Sequence, residues 1–185
     1  PPGSELTRSG ANPGDWVYVT GTLGDAGAGL DILQNTLEVK GEARDVLINR
    51  HYFPTPRVAV GTALRRIATS CIDISDGLLS DLNHILTASG CGANIHVDRL
   101  PLSRAITSAV DNDTAIEYAL SAGDDYELIF TVSEEQKGNL ETSLASTNVK
   151  ATCIGQLSGH SSNLSLFKGE KPYTPKRDKG YEHNF

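Results

Sequence analysis

The chain has 185 residues, 38% of them hydrophobic and 21% charged, which is enough for one sizeable globular domain. Its formal net charge of −7 argues against a nucleic-acid partner, because binding phosphates requires clustered Lys and Arg. No apolar run approaches the roughly 20 residues of a transmembrane helix and the start shows no secretory pattern, so we expect no membrane partner either.

The cysteines and histidines do not form a recognisable metal or disulfide pattern. Cys71, Cys91 and Cys153 are far apart and odd in number, which is typical of reduced thiols in a cytoplasmic protein. The five histidines show no H-E-x-x-H or paired spacing, which argues against a zinc site. The chain contains no methionine and opens with Pro-Pro-Gly-Ser, so we expect it to be part of a longer protein.

The first third of the chain predicts a loop, a strand and three helices. Turn-forming residues fill positions 6–15, and the β-branched and aromatic residues at 16–20 predict a strand. The glycine-rich stretch 21–30 opens a helix, either as a phosphate-cradling turn or simply to allow close packing, since neither standard phosphate-binding fingerprint fits it. Residues 42–52 and 57–69 predict helices separated by Pro54 and Pro56.

The remainder mixes strands and helices without strict alternation. We predict helices over 78–89, 102–110, 114–121 and 134–146, and strands over 71–75, 93–97, 128–132, 149–155 and 164–167. This order favours an α+β fold, a mixed β-sheet covered by α-helices. We treat residues 1–185 as a single domain, with an entry loop over 1–14 and a C-terminal tail over 168–185.

The most informative stretch is Cys-Ile-Asp-Ile-Ser-Asp-Gly-Leu-Leu-Ser-Asp-Leu (71–82), a predicted strand that turns through Gly77 into a helix. Ser75 or Asp76 at this junction could cap the helix. Capping does not account for Asp73, because a carboxylate inside an apolar run is costly unless it is paired or binds a metal. The alternative is a magnesium site, since Mg²⁺ takes one or two protein carboxylates and completes its shell with water and phosphates.

A second acidic stretch, Ser-Ala-Gly-Asp-Asp-Tyr-Glu-Leu (121–128), leads into the strand at 128–132. It is either a solvated loop before a strand or part of a site. In the second interpretation Asp124 and Asp125 lie near a cation or phosphate, and Glu127 points into a substrate pocket.

Several ordered motifs resemble bacterial thiamine-monophosphate kinases. They are Thr-Arg-Ser-Gly-Ala (7–11), Gly-Asp-Trp-Val-Tyr-Val-Thr-Gly (14–21), Ile-Asp-Ile-Ser-Asp-Gly-Leu (72–78), Gly-Asp-Asp-Tyr-Glu-Leu (123–128), Cys-Ile-Gly-Gln (153–156) and Lys-Gly-Tyr-Glu-His (179–183). The resemblance implies the C-terminal domain of the aminoimidazole-ribonucleotide-synthetase-like superfamily, without the N-terminal ATP-binding domain. It departs at Asp124, where the family pattern has Glu.

The resemblance also implies a function and a set of site residues. The family transfers the γ-phosphoryl group of ATP to thiamine monophosphate, with Mg²⁺, and is expected to form a homodimer in the cytoplasm. Asp73 and Asp76 would be the catalytic magnesium ligands, and Arg8 and Ser75 would bind ATP. Glu127 and Tyr181 would line the thiamine site.

Two alternatives stay open. The first is another ATP-using synthetase of the same superfamily, such as an aminoimidazole ribonucleotide or selenophosphate synthetase. The second is a non-catalytic ligand-binding or dimerisation module. The Gly-Asp-Asp-Tyr-Glu-Leu stretch argues against the first, and the presence of Asp73, Asp76 and Glu127 together argues against the second.

Overall fold

A computed structural model of the chain describes residues 5–159 and 163–176. Strands and helices follow one another in a mixed order along these ranges. They are β1 (Trp16–Thr20), α1 (Asp25–Leu33), α2 (Glu42–Tyr52), α3 (Val58–Ala63), β2 (Ala68–Asp73), α4 (Leu78–Ser89), β3 (Gly92–His96), a 3₁₀ turn (Val97–Arg99), α5 (Arg104–Ala109), α6 (Asn112–Ser121), β4 (Leu128–Val132), α7 (Lys137–Leu144), β5 (Ala151–Ser158), β6 (Leu164–Lys168) and β7 (Lys171–Pro172).

The strands form one mixed sheet in the order β2-β4-β1-β5-β3-β6-β7. Neighbouring strands are antiparallel except β3 and β6, which are parallel. The predicted α+β fold with a mixed sheet covered by helices is therefore confirmed. The end of β2 meets the start of β4, with Asp73 opposite Leu128, so the two acidic stretches meet at one end of the sheet.

Helices cover both faces of the sheet because its strands alternate apolar side chains between the faces. On one face, Val17, Val19 and Ile129 belong to the main core with helices α4 and α6. On the other face, Tyr18 stacks on Phe130 with ring centroids 5.6 Å apart, under α3 and α7. The site end of the sheet is thus supported from both sides.

Helix α4, predicted over 78–89, carries an apolar stripe on one face. Leu78, Leu82, Ile85 and Leu86 are all fully buried in the main core, while Asn83 on the same helix is exposed. This spacing of four, three and one residues places them on one helix face. Helix α4 ends at Gly90, whose left-handed φ of 67° suits glycine at a helix C-terminus.

The glycine-rich stretch after β1 serves close packing, the second of the two alternatives for it. A Cβ atom on Gly27 would lie 2.2 Å from the Cβ of Ala122, and one on Gly29 would lie 2.2 Å from the Leu47 carbonyl oxygen. Helices α1 and α2 therefore approach each other backbone to backbone. They form a third apolar cluster with α5 and α6.

The predicted helix over residues 57–69 is wrong in its second half. Helix α3 ends at Ala63, Arg66 adopts a left-handed φ of 69°, and strand β2 begins at Ala68. The reason is tertiary, because residues 68–73 pair with β4 and contribute to the sheet. The other predicted elements are present, with ends shifted by up to three residues, and the two-residue strand β7 was missed.

Across residues 5–159 and 163–176, no helix has the length and apolar character needed to cross a lipid bilayer.

The core role of α4 can be tested at Leu82. We expect Leu82→Ala to lower the free energy of unfolding by about 2–5 kcal/mol, because it opens a cavity at a fully buried position. The exposed Asn83→Ala is the matched control and should change it by less than about 0.5 kcal/mol. Urea unfolding measures both, and equal effects would contradict the placement of α4.

Candidate active site

Backbone hydrogen bonds continue from the β2–β4 pair into the two loops that follow. The Ile74 N–H donates to the Glu127 carbonyl at 2.7 Å, and the Tyr126 N–H donates back to the Ile74 carbonyl at 2.9 Å. The Asp124 N–H then donates to the Ser75 carbonyl at 3.0 Å. The acidic stretches that the sequence singled out separately therefore form one structural unit.

Glycine allows these loops to approach closely. A Cβ atom on Gly123 would lie 2.4 Å from the Ser75 carbonyl oxygen. One on Gly77 would lie 2.8 Å from the Ser121 carbonyl oxygen, and Gly77 has a φ of 106° that other residues rarely adopt. Any side chain at either position would push the loops apart.

A cleft of about 620 Å³ opens at this end of the sheet. Four of the predicted site residues line it together: Arg8, Asp73, Ser75 and Asp76. Arg8 reaches the cleft because the preceding Thr7 carbonyl accepts the Cys71 N–H at 2.8 Å, which holds the entry segment beside β2. The predicted site residue Tyr181 lies outside the described residues.

Asp73 and Asp76 project carboxylates with no protein partner. Asp73 is exposed and Asp76 half-buried, and within residues 5–159 and 163–176 neither side chain makes a hydrogen bond or ion pair. Both remain available to a ligand in the cleft.

The capping alternative for this junction is wrong. Helix α4 begins after Gly77 with no side-chain cap. Instead Asp81, from the helix itself, accepts the Ser75 and Asp76 backbone N–H groups at 2.9 and 3.0 Å. The helix therefore holds the loop, and the Ser75 and Asp76 side chains are left for the cleft.

Asp81 and His84 are cleft residues that the sequence reasoning missed. Both line the cleft, and burial raises the pKa of the Asp81 carboxyl against the lowering effect of its two backbone hydrogen bonds. Their i,i+3 spacing places both side chains on one face of the predicted helix 78–89, and this pattern could have identified them as site residues.

Tyr126 lies within electrostatic range of Asp124 and of the same two carboxylates. The Asp124 charge is the main factor that raises the pKa of the Tyr126 hydroxyl, followed by burial and by the charges of Asp73 and Asp76. The Tyr126 side chain is 39% exposed.

Asp125, in contrast, points away from solvent into the start of helix α1. Its Oδ2 accepts the Gly24 N–H at 2.7 Å and its Oδ1 accepts the Ala26 N–H at 3.4 Å. Burial raises its pKa to about 7, partly offset by these N–H groups. The phosphate-cradle interpretation of this turn therefore does not describe the structure, because a protein carboxylate occupies the helix start.

Glu127 is fully buried beneath two arginines. Its carboxylate accepts hydrogen bonds from Arg57 at 2.5 and 2.7 Å, from Arg50 at 3.2 Å and from the Thr20 hydroxyl at 2.6 Å. Burial opposes its ionisation, but the Arg57 and Thr20 hydrogen bonds and the two positive charges outweigh it and lower its pKa. The expectation that Glu127 points into a pocket is therefore wrong: Glu127 lines neither the acidic cleft nor the apolar cavity beside it, and it contacts the wall of the apolar cavity through Arg57.

A second, mainly apolar cavity of about 530 Å³ adjoins the acidic cleft. Asp73 lines both, and the apolar cavity is otherwise bordered by Pro54, Pro56, Arg57 and Tyr126, among other residues. Arg57 is a further site residue that the sequence reasoning did not single out.

The donor set of the cleft fits Mg²⁺ better than a transition metal. In the part of the chain that the structure describes, no group of three or more His, Cys, Asp or Glu side chains could hold a metal ion. Two unpartnered carboxylates, Asp73 and Asp76, match an ion that takes one or two protein ligands and otherwise binds water and phosphate oxygens.

The three cysteines form no disulfide within residues 5–159 and 163–176. Cys71, Cys91 and Cys153 are free thiols, and burial, followed by the Asp73 charge, raises the pKa of the Cys71 thiol to about 12. Cys71 therefore stays protonated and unreactive near neutral pH.

The sequence of this domain matches a known protein family. Residues 12–164 match the family described as AIR synthase related protein, C-terminal domain, and the chain belongs to it.

Within this family the chain is similar to thiamine-monophosphate kinases. It is 52% identical over 184 residues to that of Salmonella typhimurium, covering 99% of this chain and 56% of the relative. The crystal structure of thiamine-monophosphate kinase from Stenotrophomonas maltophilia has a TM-score of 0.81 at 37% identity, over 89% of this chain and 53% of that one. AaThiL complexed with AMPPCP and TMP has a TM-score of 0.78 at 35% identity, over 97% and 54%. The chain thus spans about half the length of these relatives.

The Glu127 ion pair predicts a pH-dependent contribution to stability. We expect Glu127→Gln to lower the free energy of unfolding by about 3 kcal/mol at pH 7, because it removes the carboxylate that pairs with the partly buried charge of Arg57. Since the folded pKa of Glu127 is lowered, its contribution is complete above the unfolded value of 4.5 and is lost as the pH falls through the folded value.

The gap in unfolding free energy between wild type and Glu127→Gln should therefore be constant from pH 7 to 5 and narrow below about pH 4.5. Denaturant titrations across this range measure it. The control is Glu134→Gln, at an exposed ion pair with Lys137, which should stay within about 1 kcal/mol of wild type. A gap that widens as the pH falls would contradict the assignment.

Proposed function

We propose that this chain supplies the C-terminal part of the active site of a thiamine-monophosphate kinase, which transfers the γ-phosphoryl group of ATP to thiamine monophosphate. The observation that carries the proposal is the convergence of Arg8, Asp73, Ser75 and Asp76 on one cleft, with both carboxylates unpartnered. Phosphoryl transfer depends mainly on alignment and neutralisation of charge, and these groups are suited to both tasks.

The cleft residues have distinct roles in this proposal. Asp73 and Asp76 hold Mg²⁺, which when bound neutralises phosphate oxygens and orients them. Arg8 pairs with ATP phosphates as a fixed positive charge, and Ser75 contacts the nucleotide. Asp81 keeps the loop in place through its hydrogen bonds to the Ser75 and Asp76 amides.

The adjoining apolar cavity suits the aromatic part of thiamine. Its walls combine Pro54, Pro56 and the Tyr126 ring, and Asp73 joins it to the acidic cleft. Glu127 contributes to this side by fixing Arg57 at the cavity wall, and Tyr181 completes the thiamine site. An aromatic ring beside carboxylates favours a cationic ligand such as a thiazolium.

A further, N-terminal domain completes the ATP site in this proposal, and the full-length protein is a cytoplasmic homodimer. The names of the similar proteins favour a kinase over the sister synthetases. The complex of AaThiL with AMPPCP and TMP supports ATP and thiamine monophosphate as the two substrates. A non-catalytic module would have no need of two unpartnered carboxylates beside an arginine.

The role of Asp76 can be tested in the full-length protein. We expect Asp76→Asn to lower kcat by about 100-fold or more while the melting temperature stays nearly unchanged, because it removes a metal ligand and no packing. Asp45→Asn, at an exposed carboxylate on α2, is the control and should retain full activity. Full activity with reduced stability would instead show that Asp76 has a structural role.

The need for a second domain gives a separate test. We expect the 185-residue chain alone to form no thiamine diphosphate from ATP and thiamine monophosphate, because the chain provides only part of the site. Mass spectrometry of the reaction mixture measures this, with the full-length protein as control. Product from the chain alone would show that the cleft is complete without a further domain.

A further inference from the structure

Successive side chains of the acidic loop 123–127 lie in two different environments. Tyr126 is exposed and lines the apolar cavity together with Asp73, and Asp124 is half-buried. Asp125 and Glu127 point inward and are 2% and 0% exposed. Both inward carboxylates accept hydrogen bonds from the protein, Asp125 at the start of α1 and Glu127 from Arg57.

The loop conformation is costly by itself. Asp124 and Tyr126 have positive φ values of 66° and 50° although neither is glycine. A left-handed backbone is strained for a residue with a side chain, and it persists only where the surroundings fix it. Asp125 lies between these two strained residues.

The loop is held from two sides. On one side its backbone bonds to Ile74 and Ser75. On the other side the Asp125 carboxylate accepts two N–H groups at the start of α1, from Gly24 and Ala26. The start of helix α1 packs closely against α6 at Gly24, where a Cβ atom would lie 2.7 Å from the Ala119 nitrogen.

We propose that Asp125 is a positioning residue: by binding the start of helix α1 it holds the loop against Ile74 and Ser75, and so fixes Tyr126 next to Asp73, which the apolar cavity shares with the acidic cleft. Asp125 does not touch the substrates itself. This proposal rests on the proposed function only for the identity of the ligand in the cleft. The connection from helix α1 through Asp125 to the loop depends on the hydrogen bonds alone.

The test compares Asp125→Ala with Asp111→Ala in the full-length protein. Asp111 is a matched control because it also accepts a helix N-terminal amide, from Thr114 at 3.0 Å, but at α6 and exposed to solvent. Each variant removes a carboxylate from a helix start, and both should lose some stability. Only Asp125→Ala should disturb the cleft.

Amide hydrogen exchange is the first readout. We expect exchange of the Asp124 and Tyr126 amides to be about tenfold faster in Asp125→Ala and unchanged in Asp111→Ala. If Asp125→Ala does not fold, Asp125→Asn replaces it, since it keeps one acceptor oxygen and should give a smaller change in the same direction. Unchanged exchange of both amides in the folded variant would overturn the proposal.

Kinetics give a readout that a purely structural role would not move. We expect Asp125→Ala to raise the Mg²⁺ concentration for half-maximal activity about tenfold, with kcat at saturation reduced far less. Asp111→Ala should match wild type in both, and identical behaviour of the two variants would overturn the proposal. If the wild type forms no thiamine diphosphate, the proposed function fails, while the exchange comparison still decides the role of Asp125.

Discussion

The site depends on the pairing of β2 with β4 and on its continuation past the ends of both strands. Three backbone hydrogen bonds join residues 74–75 to residues 124–127, and glycines at 77 and 123 let the loops approach within contact distance. Without this pairing the carboxylates of the two loops would have no fixed relation. Everything that we propose for the cleft follows from that one constraint.

The acidic residues at the site fall into two groups, according to whether their carboxylates accept hydrogen bonds from the protein. Asp81, Asp125 and Glu127 are buried, and each accepts hydrogen bonds from backbone N–H groups or from arginines. This is required, since a buried charge without a partner is strongly destabilising. Asp73 and Asp76 face the cleft and have no such partner among the described residues. The first group builds the site, and the second group is available to a ligand.

Much of the fold was predictable because its signals are local. The β-branched and aromatic content of Trp16–Thr20 and the helical pattern over 78–89 are properties of short stretches, and both predicted elements are confirmed. The prediction of a helix over 57–69 was wrong at its end because residues 68 and 69 belong to β2, which pairs with β4 some sixty positions away.

The sequence predicted which residues line the cleft better than it predicted what each of them does there. The sequence indicated Arg8, Asp73, Ser75 and Asp76, and the fold brings them together. It could not show that Asp81 holds the loop or that Arg57 neutralises Glu127, since both contacts depend on how distant segments pack. Asp124 and Asp125 look equivalent in the sequence, yet the fold buries the Asp125 side chain against the start of α1 and leaves that of Asp124 half-buried.

The central claim is that the cleft serves magnesium-dependent phosphoryl transfer to thiamine monophosphate. The most direct measurement is to incubate the full-length protein with ATP and thiamine monophosphate, with and without Mg²⁺, and to detect thiamine diphosphate by mass spectrometry. The account predicts product that requires Mg²⁺. Two results would contradict this claim. The folded protein could form no thiamine diphosphate while ATP stays intact, or it could form the product equally well without Mg²⁺.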